Sequence, residues 1–176
     1  FEEPNRWMTS GGLGTMGYGF PAALGVQVAH PDSLVIDIAG EASFMMNLQE
    51  LSTVAQYGLP VKVFIINNRW MGMVRQWQEL LYEGRYSHSY MESLPDFVKL
   101  AEAFGAVGLR AEDPGEVDDK IMEMIETPRA VILDCCVEQT ENCFPMIPAG
   151  AAHYEMLLGP EDEAGHQVSE EGMVLV

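Results

Sequence analysis

Three short and almost uninterrupted apolar runs are the sequence feature that most limits the folds open to this chain. They are residues 34–38 (LVIDI), 61–66 (VKVFII) and 130–137 (AVILDCCV). Strands with apolar side chains at nearly every position are typical of a parallel sheet that helices cover on both faces. A shorter strand is predicted at 106–110. The runs therefore predict an α/β domain built on a central parallel sheet.

Segments with helical character separate the predicted strands, and the turn after the first strand is placed at residues 40–43. Helices are predicted at 20–29, 47–57, 71–81, 94–104 and 114–126. Pro114 fits the first turn of the last helix, where its missing N–H costs nothing. This alternation indicates a three-layer αβα sandwich with a mostly parallel sheet.

The charge of the chain excludes several classes of partner. It carries 9 Lys and Arg against 27 Asp and Glu, a net charge of −18. Such a chain repels nucleic acid and anionic membrane surfaces, so we expect neither as a partner. No apolar run approaches the roughly 20 residues that span a bilayer. A bound phosphate would have to be held by backbone N–H groups or by a metal ion.

The three cysteines, Cys135, Cys136 and Cys143, are an odd number and form no CxxC pair. This pattern argues against a disulfide framework and predicts buried free thiols in a reducing cytoplasm.

The strand–helix alternation ends near Gly150. We therefore predict a folded domain over 1–150 and an acidic tail over 151–176. The start, Phe1-Glu2-Glu3-Pro4, lacks an initiator Met and a signal-peptide pattern, so we expect the chain to be a fragment.

Three polar or glycine-rich features fall where parallel sheets bind ligands, beyond the carboxyl ends of strands. They are the glycine loop at 11–17, Glu41 after the first strand, and Asn67-Asn68 after the second. If these strands are neighbours, Glu41 and Asn68 lie side by side. A carboxylate, an amide oxygen and a backbone carbonyl near Trp70 would suit Mg²⁺, which prefers oxygen ligands.

Each feature alone has an ordinary alternative. A glycine loop before a helix is often only a tight turn, Glu41 a solvated turn residue, and Asn67-Asn68 a strand-end turn. Trp77 and the methionines can equally be core residues.

Taken together, these residues resemble a known family. The stretch from Gly40 to Asn68 resembles the thiamine-diphosphate motif, Gly-Asp-Gly followed after about 25 to 30 residues by Asn-Asn. Further stretches are similar to acetolactate (acetohydroxyacid) synthase: 6–17 (RWMTSGGLGTMG), 43–51 (SFMMNLQEL), 59–63 (LPVKV), 71–77 (MGMVRQW) and 145–148 (PMIP). The resemblance covers about residues 6–150, the predicted C-terminal thiamine-diphosphate-binding domain.

The resemblance implies a role for each matching residue. Glu41, Asn68 and the carbonyl of Trp70 would bind Mg²⁺. The aminopyrimidine and thiazolium of the cofactor would be lined by Gly14, Thr15 and Met16, and its diphosphate would be held by Ala42, Ser43, Gly72 and Met73. The substrate pocket would include Met73, Trp77 and Ala149.

One position departs from the family motif. Gly40-Glu41-Ala42 stands where Gly-Asp-Gly is usual. Glu extends its carboxylate by one methylene, and Ala lacks the freedom of Gly at positive φ. We expect metal binding to be retained with altered affinity.

The implied reaction is the decarboxylation of pyruvate and its addition to a second 2-keto acid. Pyruvate as acceptor gives acetolactate, and 2-ketobutyrate gives acetohydroxybutyrate, in branched-chain amino acid biosynthesis. The resemblance further implies a homo-oligomer in which the pyrimidine-binding domain of a second subunit supplies an activating glutamate. It also implies FAD in the full-length enzyme and a possible regulatory subunit.

Two other interpretations stay open at this point. One is another thiamine-diphosphate enzyme: a pyruvate oxidase, a glyoxylate carboligase or a 2-keto-acid decarboxylase. The other is a non-catalytic domain of the same fold. For the acetolactate-synthase interpretation, the resemblance implies that the catalytic glutamate lies outside this chain, which we then expect to be inactive alone.

Overall fold

The computed structural model describes residues 2–148 and 150–160. These residues fall into two compact units. Within the described ranges, unit 1 comprises 2–70 and 91–139, and unit 2 comprises 71–90, 140–148 and 150–160. The predicted boundary at residue 150 stays a prediction, and most of the predicted acidic tail lies outside the described residues.

Unit 1 is built on a four-stranded sheet in which every pairing is parallel. The strands are β1 (Ile36–Gly40), β2 (Lys62–Asn67), β3 (Val107–Ala111) and β4 (Val131–Cys136), in the order β1-β2-β4-β3. All four were predicted to within about two residues, the usual uncertainty of element ends. β4 is buried at every position but its last, which explains its continuous apolar sequence.

Helices follow or precede each strand. The α-helices are α1 (Gly19–Ala29), α2 (Glu41–Met45), α3 (Leu51–Tyr57), α4 (Gly72–Leu80), α5 (Phe97–Ala103) and α6 (Val117–Glu126). One-turn 3₁₀ helices lie at Leu48–Glu50, Pro114–Glu116 and His153–Glu155. The predicted turn over 40–43 was wrong, because the chain enters α2 directly at the end of β1.

Two apolar clusters cover the two faces of the sheet, so the predicted three-layer arrangement is confirmed for unit 1. The larger cluster joins side chains of α1, α3 and α5 to Val63, Ile65 and Ile132. The smaller joins α6 to Leu133 and Cys135 on the opposite face. Alternate residues of β4 therefore pack in different layers.

The edge strand β1 departs from the expectation of burial on both faces. Ile36 and Ile38 are exposed by 39% and 59%, whereas Asp37 between them is buried at 5% exposure. Asp37 points to the side of α1, where its carboxylate lies against Gly19. The apolar run was therefore a correct signal for a strand and a wrong one for its burial.

Local contacts fix α5 on the sheet. Its N-cap residue Asp96 accepts hydrogen bonds from the N–H groups of Val98 and Lys99. A Cβ atom at Gly108 of β3 would lie 2.6 Å from the backbone of Val98, so only glycine permits this close approach. The packing of α5 on β3 thus depends on a residue without a side chain.

Among residues 2–148 and 150–160, no helix combines the length and the apolar character that crossing a membrane requires. The three cysteines are free, as predicted. Only Cys135 is buried, however, and Cys136 and Cys143 are exposed. The expectation of burial was wrong for these two, since Cys136 is the exposed last residue of β4 and Cys143 lies after that strand.

Candidate functional site

The carboxyl ends of β1 and β2 bring the two halves of the predicted metal site together. The strands pair in register with Gly40 opposite Ile66. Glu41 and Asn67 are each the next residue along the chain, and Asn68 follows. Residues far apart in sequence therefore meet at one edge of the sheet, as the spacing predicts.

Glu41 is the first residue of α2 and is completely buried. Neither of its carboxylate oxygens has a hydrogen-bond partner. Burial raises the pKa of Glu41 above its ordinary value, and the nearby N–H groups of Glu41 itself, Asn68 and Trp70 oppose this rise only in part. A buried carboxylate without partners is unfavourable unless a cation compensates its charge.

The turn after β2 presents its side-chain oxygens in a fixed arrangement. The N–H of Trp70 donates to Asn68 Oδ1 at 3.0 Å, and the N–H of Arg69 donates to Asn67 Oδ1 at 3.3 Å. Arg69 adopts φ +62°, the left-handed conformation. These Asx turns hold Asn68 at the strand end and leave its oxygen a second lone pair.

The residues present fit a divalent cation only with help from other oxygens. Among the described residues, no three His, Cys, Asp or Glu side chains lie close enough to form a metal site. Mg²⁺ commonly takes one or two carboxylates and completes its shell with carbonyl, phosphate and water oxygens. The unpartnered Glu41 beside Asn68 satisfies that requirement, so the donor set fits Mg²⁺ bound together with a phosphate.

The glycine loop forms one wall of a large cavity in unit 1. Gly14 and Thr15 donate their N–H groups to the carbonyl and hydroxyl oxygens of Ser10, at 2.7 and 3.0 Å. The cavity has a volume of about 980 Å³ and is lined by Gly14, Thr15, Met16 and Ser43, among others. This size suits an organic cofactor, since ligand pockets commonly measure about 300 to 1,000 Å³.

Ser43 and Ala42 lie in α2, next to Glu41. The hydroxyl of Ser43 accepts a hydrogen bond from the N–H of Gly17 at 2.9 Å, and Ala42 is buried. Eight of the predicted site residues thus belong to unit 1. They are Gly14, Thr15, Met16 and Ser43 at the cavity, the predicted metal ligands Glu41, Asn68 and Trp70, and Ala42 beside Glu41. Their ligand roles stay predictions.

A network around Asp134 was not predicted. Asp134, in β4, is buried and accepts hydrogen bonds from Asn67 Nδ2 at 2.8 Å and Arg110 Nε at 3.1 Å. Arg110 also donates to Asp96 at 3.0 Å. This network anchors the start of the Asn67–Trp70 turn. A charged residue inside the run AVILDCCV was the sequence signal that could have revealed it.

Unit 2 holds the remaining predicted residues. Helix α4 begins at Gly72, and Met73 and Trp77 line a separate cavity of about 550 Å³ with Val74, Gln78, Tyr82 and Arg85. Trp77 is 40% exposed, which disfavours the alternative that it is a core residue. Ala149 lies outside the described residues. The diphosphate and substrate roles of these residues stay predictions.

Comparison with known proteins identifies the family of the chain. Residues 1–135 match the family model described as thiamine pyrophosphate enzyme, C-terminal TPP binding domain. Three similar relatives are acetolactate synthase large subunits. That of Cyanidium caldarium is 52% identical (88% of this chain, 27% of the relative), that of Haemophilus influenzae 49% (93% and 29%), and isozyme 3 of Escherichia coli 51% (90% and 28%).

A solved structure with the same fold is the thiamine diphosphate-dependent 4-hydroxybenzoylformate decarboxylase of Rhodococcus jostii RHA1. It is 28% identical, with a TM-score of 0.65, over 70% of this chain and 23% of that one. The predicted fold and the resemblance to acetolactate synthase are therefore confirmed. The chain spans about a quarter to three-tenths of the length of the three curated relatives.

Proposed function

Because the chain belongs to the family of C-terminal TPP-binding domains of thiamine pyrophosphate enzymes, we propose that it is the cofactor-binding part of an acetolactate synthase large subunit. The proposed reaction joins pyruvate, after loss of CO₂, to a second 2-keto acid. Pyruvate or 2-ketobutyrate would serve as the acceptor, giving the precursors of branched-chain amino acids.

The single observation that carries the proposal is the Glu41 carboxylate. It is fully buried with both oxygens unpartnered, at the strand end where Asn68 also lies. Such a group fits a cation ligand much better than a structural residue. In a chain with a net charge of −18, a bound Mg²⁺ also supplies the positive charge that a diphosphate needs.

In this proposal Glu41, Asn68 and the carbonyl of Trp70 hold Mg²⁺, and Ser43 and Ala42 lie beside the diphosphate. Bound thiamine diphosphate supplies the nucleophilic carbon and the electron sink for decarboxylating a 2-keto acid. The cavity wall at Gly14, Thr15 and Met16 orients the rings and excludes water from them. The chain's own contribution is position and charge.

The remaining parts of the activity are proposed to come from outside this domain. They are an activating glutamate on the pyrimidine-binding domain of a second subunit, FAD, and a possible regulatory subunit. We therefore expect the 176-residue chain by itself to be inactive with pyruvate, thiamine diphosphate and Mg²⁺. We also propose a cytoplasmic location, because three free thiols, two of them exposed, suit a reducing compartment.

Calorimetric titration of thiamine diphosphate into the chain tests the proposal. We expect binding with Mg²⁺, none with EDTA, and none in Glu41→Ala. Binding of thiamine diphosphate that persists in EDTA or in Glu41→Ala would contradict the proposed metal site. Absence of binding to the wild-type chain and to a longer protein containing it would favour the non-catalytic alternative.

A second candidate is a thiamine-diphosphate decarboxylase, supported by the structural similarity to the Rhodococcus jostii enzyme. The identities of 49–52% to acetolactate synthases against 28% to that decarboxylase favour the first proposal. Product analysis on a longer protein separates them, since carboligation gives acetolactate and simple decarboxylation of pyruvate gives acetaldehyde.

A further inference from the structure

Gly17, at the end of the glycine loop, is held on both sides by one short segment. Its N–H donates to Ser43 Oγ at 2.9 Å, and its carbonyl accepts from Asn47 Nδ2 at 2.6 Å. These two bonds join the loop to residues 26 and 30 positions further along the chain. The bonds at Gly14 and Thr15, by contrast, both end on Ser10, the residue directly before the loop.

The backbone of Gly17 touches this segment directly. Its φ is +85°, and a Cβ atom there would lie 2.8 Å from Asn47 Nδ2 and 3.0 Å from Met46 Cβ. The loop is therefore in contact with residues 46 and 47 at a point where no side chain fits.

The orientation of the Asn47 amide is determined by its two partners. Gln49 Nε2 donates to Asn47 Oδ1 at 3.2 Å, while Asn47 Nδ2 faces the carbonyl of Gly17. In the reverse orientation, Asn47 Oδ1 would face the carbonyl oxygen of Gly17, and Asn47 Nδ2 would face Gln49 Nε2. Neither pair could form a hydrogen bond. Asn47 is thus a fixed donor aimed at the loop.

We propose that Asn47 is a positioning residue for the cofactor, acting through Gly17. It fixes the loop at the distance from α2 at which Gly14, Thr15 and Met16 meet the ring part of thiamine diphosphate while Ser43 stays near the diphosphate. This inference rests on the proposed function. It adds a residue to which neither the motif nor the metal site assigns a role.

The test uses the full chain with two variants and one control. Asn47→Ala removes the donor, and Asn47→Leu removes it while keeping a branched side chain of similar shape. Thr53→Val is the matched control, because it removes a side-chain hydrogen bond of 2.9 Å from Thr53 in the neighbouring helix α3 to Glu50. Amide hydrogen exchange of residues 10–18 is measured without ligand. Calorimetry then compares thiamine diphosphate with inorganic diphosphate, each with Mg²⁺.

We expect both Asn47 variants to exchange faster over 10–18 and to bind thiamine diphosphate about three- to tenfold more weakly, the effect of one hydrogen bond. Affinity for inorganic diphosphate should stay unchanged, because the proposal places the diphosphate beside Ala42 and Ser43 and only the rings against Gly14, Thr15 and Met16. Thr53→Val should match the wild type in all three measurements. A purely structural role would weaken both ligands alike.

The inference is overturned if a folded Asn47 variant binds thiamine diphosphate as the wild type does, or loses affinity for both ligands equally. A wild-type chain that binds no thiamine diphosphate would instead overturn the proposed function. The two failures are therefore distinguishable.

Discussion

Glu41 and Asp134 are two buried carboxylates of the same parallel sheet, one just beyond the end of β1 and one near the end of β4, but their surroundings differ. Asp134 accepts hydrogen bonds from Asn67 at 2.8 Å and from Arg110 at 3.1 Å. Glu41 has no partner at either oxygen. Asp134 also lies near enough for its charge to raise the pKa of Glu41, although burial is the larger cause.

We propose that the difference separates a structural acid from a ligand-binding one. Removing a charge from water is unfavourable unless hydrogen bonds or an opposite charge replace the solvent. The fold itself provides this replacement for Asp134, whereas at Glu41 the nearby N–H groups offset burial only in part. We infer that Asp134 stabilises the sheet and that Glu41 carries a binding function that the fold alone cannot satisfy.

The largest expected effect is on ligand affinity at Glu41. Glu41→Gln should weaken Mg²⁺-dependent thiamine diphosphate binding more than about 100-fold, since even residues behind the ligands cost 10- to 100-fold. The ligand-free variant should be more stable than the wild type by about 1 to 2 kcal/mol, because a buried unpaired charge is lost. Calorimetry and urea denaturation measure the two effects.

Glu50→Gln is the control for this prediction, since Glu50 is a partly exposed acid in the adjacent 3₁₀ helix. It should leave affinity unchanged. A ligand-free Glu41→Gln variant that is less stable than the wild type would contradict the comparison, because Glu41 would then be a structural acid too.

Asp134 should show the opposite behaviour. Asp134→Leu should lower the free energy of unfolding by about 3 kcal/mol, because Arg110 and the Asn67 amide lose their buried partner. Asp134→Asn keeps an acceptor oxygen and should lose less. Urea denaturation at neutral pH checks both variants. If Asp134→Leu were as stable as the wild type, Asp134 would not be a stabilising residue of the sheet.

Asp37 is a third buried acid, and it should make the free energy of unfolding depend on pH. Asp37 has one oxygen, Oδ2, without a partner, and burial raises its pKa from 3.8 to about 6. Between these values the folded state binds the proton more tightly than the unfolded state does. The free energy of unfolding therefore falls as pH rises from about 4 to about 6, by about 2 to 3 kcal/mol.

Asp37→Asn should remove most of this decline, and the exposed Asp32→Asn control should not. Chemical denaturation of the ligand-free chain at several pH values between about 4 and 6 measures how the free energy of unfolding changes with pH. Burial raises the pKa of Glu41 as well, so a residual slope of the same sign is expected in Asp37→Asn. An unchanged slope would show that Asp37 does not titrate in this interval.

The smallest expected effect is the coupling between the two acids. In a double-mutant cycle with Glu41→Gln and Asp134→Asn, we expect an interaction energy of about 0.5 kcal/mol, typical of the weaker neighbouring pairs. The stabilisation from Glu41→Gln should be smaller when Asp134 is already neutral, because the repulsion is gone. Strict additivity would mean that the two carboxylates do not interact.

The sequence was sufficient to predict that Glu41 and the Asn67-Asn68 pair lie at neighbouring strand ends. Asn67-Asn68 and Glu41 were placed at adjacent strand ends because parallel strands share one carboxyl edge, and the register of Gly40 with Ile66 agrees. Asp37 and Asp134 were overlooked, although each interrupts an apolar run. Asn47 had no recognisable signal, since its bond to Gly17 joins residues 30 positions apart.

The sequence by itself determined the strands, most helices and the α/β class, because apolar periodicity reflects local geometry and burial. It also determined the family, through several motifs in a fixed order. Which buried acid is partnered depends on the tertiary structure. Because β4 lies between β2 and β3, Asp134 meets Asn67 on one side and Arg110 on the other. Partnering depends on which strands are neighbours in space, and it distinguishes the hydrogen-bonded Asp134 from Glu41, the acid that we propose binds a metal.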